Sequence, residues 1–298
     1  MIQSNSLAPI PVKDGVSPNR HFLPKGDWNT MLDYFSERFP HLSDEQINNR
    51  FGKKEVVAES GEVLTASSPY QSEQHIYFYR ELTSEVLIPF KEKILFQDEN
   101  ILVADKPHFL PVAPSGEYLH HTLLVRLRKR LNNDYLELCH RLDRETAGLV
   151  LLTKHKKIRH QYQSLFSEKK IRKTYHARVK KTEFSYPLTH KSLLVKGEPF
   201  FRMKEISGSP NSETKIELIE NRCDHDLLKL IPVTGKKHQL RVHLSALGMP
   251  IINDRFYPIL KQPVKNDYSS PLQLLAKSLD FIDPITNKPV HFESSFSL

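Results

Sequence analysis

His140-Arg141-Leu142-Asp143-Arg144-Glu145-Thr146-Ala147-Gly148-Leu149-Val150 joins a charged segment to an apolar one near the middle of the chain. It sets Asp143 between two arginines, just ahead of an apolar run. An acid so placed is either a salt-bridge partner or a carboxylate held ionised for chemistry, and spacing alone favours the salt bridge. The run that follows, Leu149-Val150-Leu151-Leu152, reads as a core strand. Gly148, at the junction, allows close backbone approach.

Outward from this centre, helices and strands alternate. Ile101-Leu102-Val103-Ala104 predicts a buried strand, followed by Asp105-Lys106-Pro107, and Pro107, Pro111 and Pro114 hold a loop open. Leu124, Leu127 and Leu131 space as one helix face, with Arg126, Arg128, Lys129 and Arg130 mostly off it. Ile158, Tyr162 and Leu165 mark an amphipathic helix. Lys173 to Val179 alternates like a strand with one wetter face. Further strands are expected over 215–219 and 226–231. Leu240, Leu244 and Leu247 share a helix face that ends at Gly248, the C′ position.

The N-terminal part has a different texture. Trp28, Leu32, Phe35 and Phe39 recur at helical spacing, with Thr30 as a cap and Asp33 in the first turn. Ser43 and Gln46 form a second capping box ahead of Ile47 and Phe51. Short strands are expected over 55–57, 62–64 and 75–79, and residues 80–91 read as a linker. The division is an extended arm (1–25), a small α/β module with its linker (26–88) and a main domain (89–298).

The 298 residues suffice for one good core plus a smaller module. An apolar share of 39% and a charged share of 26% fit a soluble globular protein. A net charge of +8 favours a polyanionic partner. Cys139 and Cys223 cannot staple so long a chain, so a reduced cytoplasm is the expected location. No apolar run reaches the ~18 residues of a membrane span, and the N-terminus lacks the pattern of a secretory signal.

Several chemical readings are set aside. His238 and His243, with Asp254 nearby, lack the spacing of a zinc helix or finger, so no metal is expected. Cys139 and His140 are strand neighbours that point to opposite faces, which argues against a cysteine nucleophile. The glycines are isolated and form no phosphate cradle.

The central run resembles, over eleven residues, the active-site motif of the RluA-type pseudouridine synthases, which isomerise uridine within RNA. Thr234-Gly235-Lys236-Lys237-His238-Gln239-Leu240-Arg241-Val242-His243-Leu244 resembles the family's second signature, and Lys173-Thr174-Tyr175 its lysine–x–tyrosine element. Lys106-Pro107 matches a pair that members carry, and Leu272 to Ala276 with Leu279 to Phe281 resembles the closing segment. The likeness spans roughly residues 90–298. Residues 28–80 are more weakly similar to a degenerate S4-like RNA-binding module, in which Arg50, Lys53 and Lys54 are the thin remainder of a basic surface.

The resemblance implies an α+β protein with the pseudouridine synthase fold, built on a central, mostly antiparallel mixed sheet. It implies conversion of specific uridines in ribosomal or transfer RNA, on structured stem-loops, by chemistry that demands no cofactor, metal or obligatory protein partner, while the +8 charge leans towards a monomer on RNA. The reaction breaks the N1–C1′ bond, turns the uracil and joins C5 to C1′. Asp143 takes the central role, by attack at C1′, by proton abstraction towards a glycal, or by attack at C6 of the base; these remain open. Arg241 is implied as its direct partner and Tyr175 as the ring that stacks on the target base. Arg141 is implied to enter the stack that the flipped nucleotide leaves. His140, Arg144, Thr146, Lys236, Lys237, His238 and Gln239 complete the expected RNA-contacting set. The cations flanking Leu127 are either a solvated helix face or an RNA-facing one. Basic pairs at 156–157, 169–170, 180–181 and 236–237 suggest a surface that tracks the RNA backbone.

The chain departs from the family's pattern in places. Ala147 stands for a usual serine, Leu275 for histidine and Asn253 for glycine, while Lys236 and Lys237 replace arginine and threonine. None removes a proposed catalytic group, but substrate fit is left open. Two rivals stay in view: a catalytically inactive RNA-binding or ribosome-assembly factor on the same fold, and a hydrolase using Asp143 and His140.

Overall fold

A computed structural model describes residues 8–298 except Thr83, Thr182, Pro263 and Lys265, so the first seven residues of the expected arm lie outside it. The described chain divides into two compact units, with the boundary between Glu85 and Val86.

The N-terminal unit holds β1 (Asn19–Phe22), α1 (Met31–Arg38), α2 (Asp44–Gly52), β2 (Val57–Ala58) and β3 (His75–Phe78), with the sheet ordered β1-β3-β2. Both helices begin in capping boxes, Thr30 with Asp33 and Ser43 with Gln46, as the spacing predicts. Two sequence expectations change. Residues 19–22 belong to this sheet rather than to an arm, because β1 pairs antiparallel with β3 from Asn19↔Phe78 to Phe22↔His75. The strand expected at 62–64 is a single bridge, Val57↔Val63. Leu23, Met31, Tyr34, Phe35, Ile47 and Ile76 fill the core of the unit.

The second unit carries β4 (Lys93–Gln97), β5 (Ile101–Lys106), α3 (Leu123–Leu131), β6 (Glu137–Leu138), β7 (Ala147–Thr153), α4 (Arg159–Ser167), β8 (Arg172–Lys180), β9 (Leu188–Lys196), β10 (Met203–Ile206), β11 (Ser212–Asn221), β12 (His225–Pro232), α5 (Gln239–Ala246), β13 (Leu274–Ile282) and β14 (Pro289–Glu293). One large sheet runs β10-β9-β11-β12-β8-β13-β7-β5-β4, with β14 beside β13 and β6 beside β7. Among the described residues the parallel pair is β13 with β7, and the other ladders are antiparallel.

Burial on both faces explains why β5 and β7 are continuous apolar runs. Leu102, Ala104, Val150 and Leu152 pack on the α3 side with Leu124 and Leu127. Their alternates Ile101, Val103, Leu149 and Leu151 pack on the other side with Tyr162 and Leu165 of α4. A third cluster joins Leu240 and Leu244 of α5 to Ala177, Leu228 and Leu230 of β8 and β12. Gly248 follows α5 at φ +77°, and Met249 N–H returns to Leu244 C=O at 3.0 Å, a helix stop that suits glycine.

The parallel seam between β7 and β13 needs Gly148. Its φ is +110°, and a Cβ there would stand 2.2 Å from the Ala276 carbonyl oxygen. No side chain fits such an approach. The cations of α3 are less available than their spacing suggests. Arg128 is buried and donates to Leu136 C=O at 2.9 Å, while Arg126 donates to Ile88 C=O and Phe90 C=O, both at 2.7 Å. Lys129 and Arg130 remain on the surface.

Candidate active site

The loop between β6 and β7 carries Asp143 and is fixed from beneath. Leu142 packs into the α3-side core, and Thr146 N–H donates to Asp143 C=O at 3.1 Å. At the end of β5, Lys106 is fully buried, and its Nζ donates to Pro107 C=O and Arg144 C=O, each at 3.0 Å. His108 Nδ1–H donates to Glu145 C=O at 2.7 Å. Burial lowers the Lys106 pKa to about 7, against the pull of Glu145 and Asp143.

Arg241 projects from α5 into the same place. Its Nη1 donates to Asp143 Oδ2 at 3.2 Å. Its Nε and Nη2 grip Asp254 at 2.8 and 2.7 Å, a two-pronged bond that fixes the plane of the guanidinium. Asp254 also accepts the N–H groups of Phe256 and Tyr257 at 2.7 and 3.1 Å, and the Phe256 ring lies 4.7 Å from the guanidinium centre. Burial works against the charge of Arg241, but the bonds to Asp254 and the nearby Asp143 outweigh it and raise its pKa further. Arg241 and Asp254 are 2% and 1% exposed, whereas Asp143 is 28% exposed. The carboxylate at the head of this chain is therefore the one a substrate can touch.

Tyr175, in β8, packs against both the α3-side and the α5-side clusters. Burial first, and the Asp143 carboxylate second, push its phenol well above the ordinary tyrosine range. It stays a neutral O–H at working pH.

The remaining expected residues fall into two groups. Arg141, Lys236 and Lys237 are exposed. The others are occupied with internal work. His140 Nε2 accepts Leu151 N–H at 3.1 Å and its ring stacks on Phe166 at 4.4 Å, and burial lowers its pKa to about 3. Arg144 donates to Glu145 at 2.7 and 2.9 Å and to the Tyr118 hydroxyl at 2.8 Å. Thr146 is buried in the turn. Gln239 spends its amide on Glu213 C=O, Thr214 Oγ1, Lys236 N–H and the Thr234 hydroxyl, at 2.7–3.0 Å. His238 is buried, with Nδ1 2.8 Å from the Tyr257 hydroxyl and Nε2 3.7 Å from Asp143 Oδ1. These side chains hold the motif loops in place, which their position inside the signatures did not reveal.

A cavity of about 240 Å³ lies beside the loop, walled in part by Phe109, Tyr118, Arg144, Arg255 and Tyr268. Elsewhere, His190, Glu205 and His243 bring ligand-type atoms within 4.8 Å of one another. There His243 Nδ1 meets the Thr214 hydroxyl at 2.9 Å, its Nε2 meets Ser212 at 2.9 Å, and His190 meets Glu205 at 2.8 Å. Hydroxyls and a carboxylate thus supply these nitrogens with partners. The histidine pair weighed from sequence, His238 with His243, is not the one that gathers.

A family profile described as RNA pseudouridylate synthase matches residues 100–246. The ribosomal large subunit pseudouridine synthase C of Buchnera aphidicola is 32% identical over 225 residues, covering 70% of this chain and 69% of that one. The dual-specificity RNA pseudouridine synthase RluA of Vibrio parahaemolyticus is 31% identical, covering 64% and 78%. The chain belongs to the RluA-type RNA pseudouridine synthases.

Among solved structures, human RNA pseudouridylate synthase domain containing 4 is 29% identical with a TM-score of 0.54, covering 69% of this chain and 88% of that one. As a pseudouridine synthase the protein is an isomerase on an α+β fold with a large mixed sheet. Sequence reasoning had Asp254 only as a discounted metal ligand. Its bond to Arg241 spans thirteen positions across an irregular turn, and no periodic signal marks it.

Proposed function

We propose that this pseudouridine synthase isomerises specific uridines of ribosomal or transfer RNA, with Asp143 as the reacting carboxylate. The observation that carries this is the chain Asp254–Arg241–Asp143: a buried carboxylate fixes a buried guanidinium, which presents a partly open carboxylate. Such preorganisation aims the group before substrate arrives.

The target uridine turns out of its stack, at a cost of a few kcal/mol that is least in loops. Exposed Arg141 takes up the gap with its planar guanidinium. Tyr175 receives the uracil on its ring and offers a neutral hydroxyl near C5. Asp143 acts at the sugar–base junction, as nucleophile at C1′ or as base towards a glycal, and Arg241 holds its orientation. Lys236 and Lys237 meet phosphates. The aromatic and guanidinium walls of the adjacent cavity suit a base flanking the target.

The +8 charge and RNA chemistry fit a monomer acting on RNA in the cytoplasm. Among the described residues no helix is long and apolar enough to cross a membrane. We read the N-terminal unit as an S4-like module with a minor share in RNA contact. The test is pseudouridine mapping of total RNA from cells with and without the gene. Loss of a mark, restored by the wild-type gene and not by Asp143→Ala, supports the reading. Survival of every mark, together with no product from purified protein on ribosomal and transfer RNA, overturns it.

A further inference from the structure

Arg241 accounts for one oxygen of Asp143. The other, Oδ1, faces Nε2 of His238 at 3.7 Å. That exceeds a direct hydrogen bond, but catalytic bonds are often long in the free protein and tighten with substrate. His238 is held in an unusual way. It stands at the start of α5 with φ +54°, a left-handed conformation uncommon for residues other than glycine.

The far side of its ring is anchored as well. Nδ1 lies 2.8 Å from the Tyr257 hydroxyl. That hydroxyl already accepts Met203 N–H at 2.8 Å. Tyr257 is buried, and among the described residues the acceptor that meets its own proton is His238 Nδ1. The tyrosine therefore donates, Nδ1 accepts, and the proton of the neutral imidazole sits on Nε2, the nitrogen that faces Asp143. Burial, which outweighs the pull of Asp143, lowers the His238 pKa to about 4 and keeps the ring neutral; Arg241, Lys237 and Asp254 are the other charged groups around it.

We propose that His238 is a positioning residue for the isomerisation, its Nε2–H donating to Asp143 Oδ1 once RNA is bound. One donor then holds each oxygen, and the carboxylate cannot rotate about its Cβ–Cγ bond. A neutral donor does this without a second positive charge, which would weaken Asp143 as nucleophile or base. The proton stays on Nε2 throughout, and Tyr257, with Met203 behind it, sets the tautomer. The inference rests on Asp143 being the reacting carboxylate.

The test uses the full-length protein, with nitrogen-15 spectra of its histidines and single-turnover kinetics on a modified RNA. His238 should show the Nε2–H tautomer and stay neutral at pH 6. His238→Phe should lose roughly 10- to 100-fold in rate with little change in RNA affinity, as expected for a misaimed reacting group. His238→Gln, which keeps a donor, should recover part of that loss. Tyr257→Phe should slow the reaction and move its acid limb to higher pH, because the neutral tautomer loses its support. An Nδ1–H tautomer, or a wild-type rate in His238→Phe, overturns the proposal. Should His238→Phe not fold, the spectra and the Tyr257→Phe profile decide it. Undiminished product from Asp143→Asn would instead overturn the reading beneath it.

Discussion

Arg241 is bound to Asp254 more completely than to Asp143: two of its nitrogens grip Asp254 at 2.7 and 2.8 Å, and one reaches Asp143 at 3.2 Å. The buried pair is the mount, and the part-exposed carboxylate of Asp143 is what it presents. Asp254→Ala would leave a buried guanidinium half paired, which costs about 3–5 kcal/mol. The expected outcome is a much lower urea midpoint and, in whatever folds, a fall in kcat larger than the change in RNA affinity. Stability unchanged by Asp254→Ala would contradict this account.

Gly148 offers a test of the fold. An added methyl meets the Ala276 backbone at 2.2 Å, and φ is +110°. Gly148→Ala should destabilise the second unit by on the order of 1–3 kcal/mol from backbone strain alone, with the clash adding to it. Chemical denaturation measures this, and a neutral result would mean that the β7–β13 seam is not as close as described.

How much of this was legible beforehand depends on the range of the interaction. The caps of α1 and α2 join residues three apart, so Thr30–Asp33 and Ser43–Gln46 are visible in the chain. β5 and β7 announce themselves because both their faces are buried. β9 and β10 carry no such signal: in Met203 to Ile206 each face mixes an apolar with a charged residue, Lys204 with Ile206 on the exposed side and Met203 with Glu205 on the other, and the strand gains its structure from its partner β9. Within the site, motif resemblance led to Asp143, Arg241 and Tyr175. It could not separate side chains that reach outward from those that brace the loop, as His140, Arg144 and Gln239 do, because both sorts sit in the same signature. Lys106 gives no sign of its burial, which comes from the pairing of β5 with β7 and the packing of the Asp143 loop over it.

Acid should loosen the protein in a defined window. Burial holds His238 and His243 at pKa values of about 4, and His140 at about 3, against the usual 6.5. Between these values the unfolded chain binds protons that the folded chain refuses, so stability rises with pH there. The stability is fully present above about pH 6.5 and is lost as pH falls towards 4, by roughly 2 kcal/mol per histidine between pH 7 and pH 5. Thermal unfolding at pH 7.5, 6 and 5 should show the midpoint dropping; a midpoint that rises on acidification would contradict the assignment.

RNA affinity should fall steeply with salt, because phosphate contacts release counterions. Lys236 and Lys237 are exposed beside the site. Replacing both with alanine should weaken binding evenly across sequences and reduce the slope of log affinity against log salt by about 1 per lost contact. An unchanged slope would place the RNA path elsewhere.

The most direct measurement is pseudouridine formation by purified protein, wild type beside Asp143→Asn, on ribosomal and transfer RNA transcripts under single-turnover conditions. The asparagine keeps the shape of the side chain and removes its charge. The wild type should form pseudouridine at a defined uridine, and the variant none, while RNA binding persists. Equal product from both would contradict the role given to Asp143.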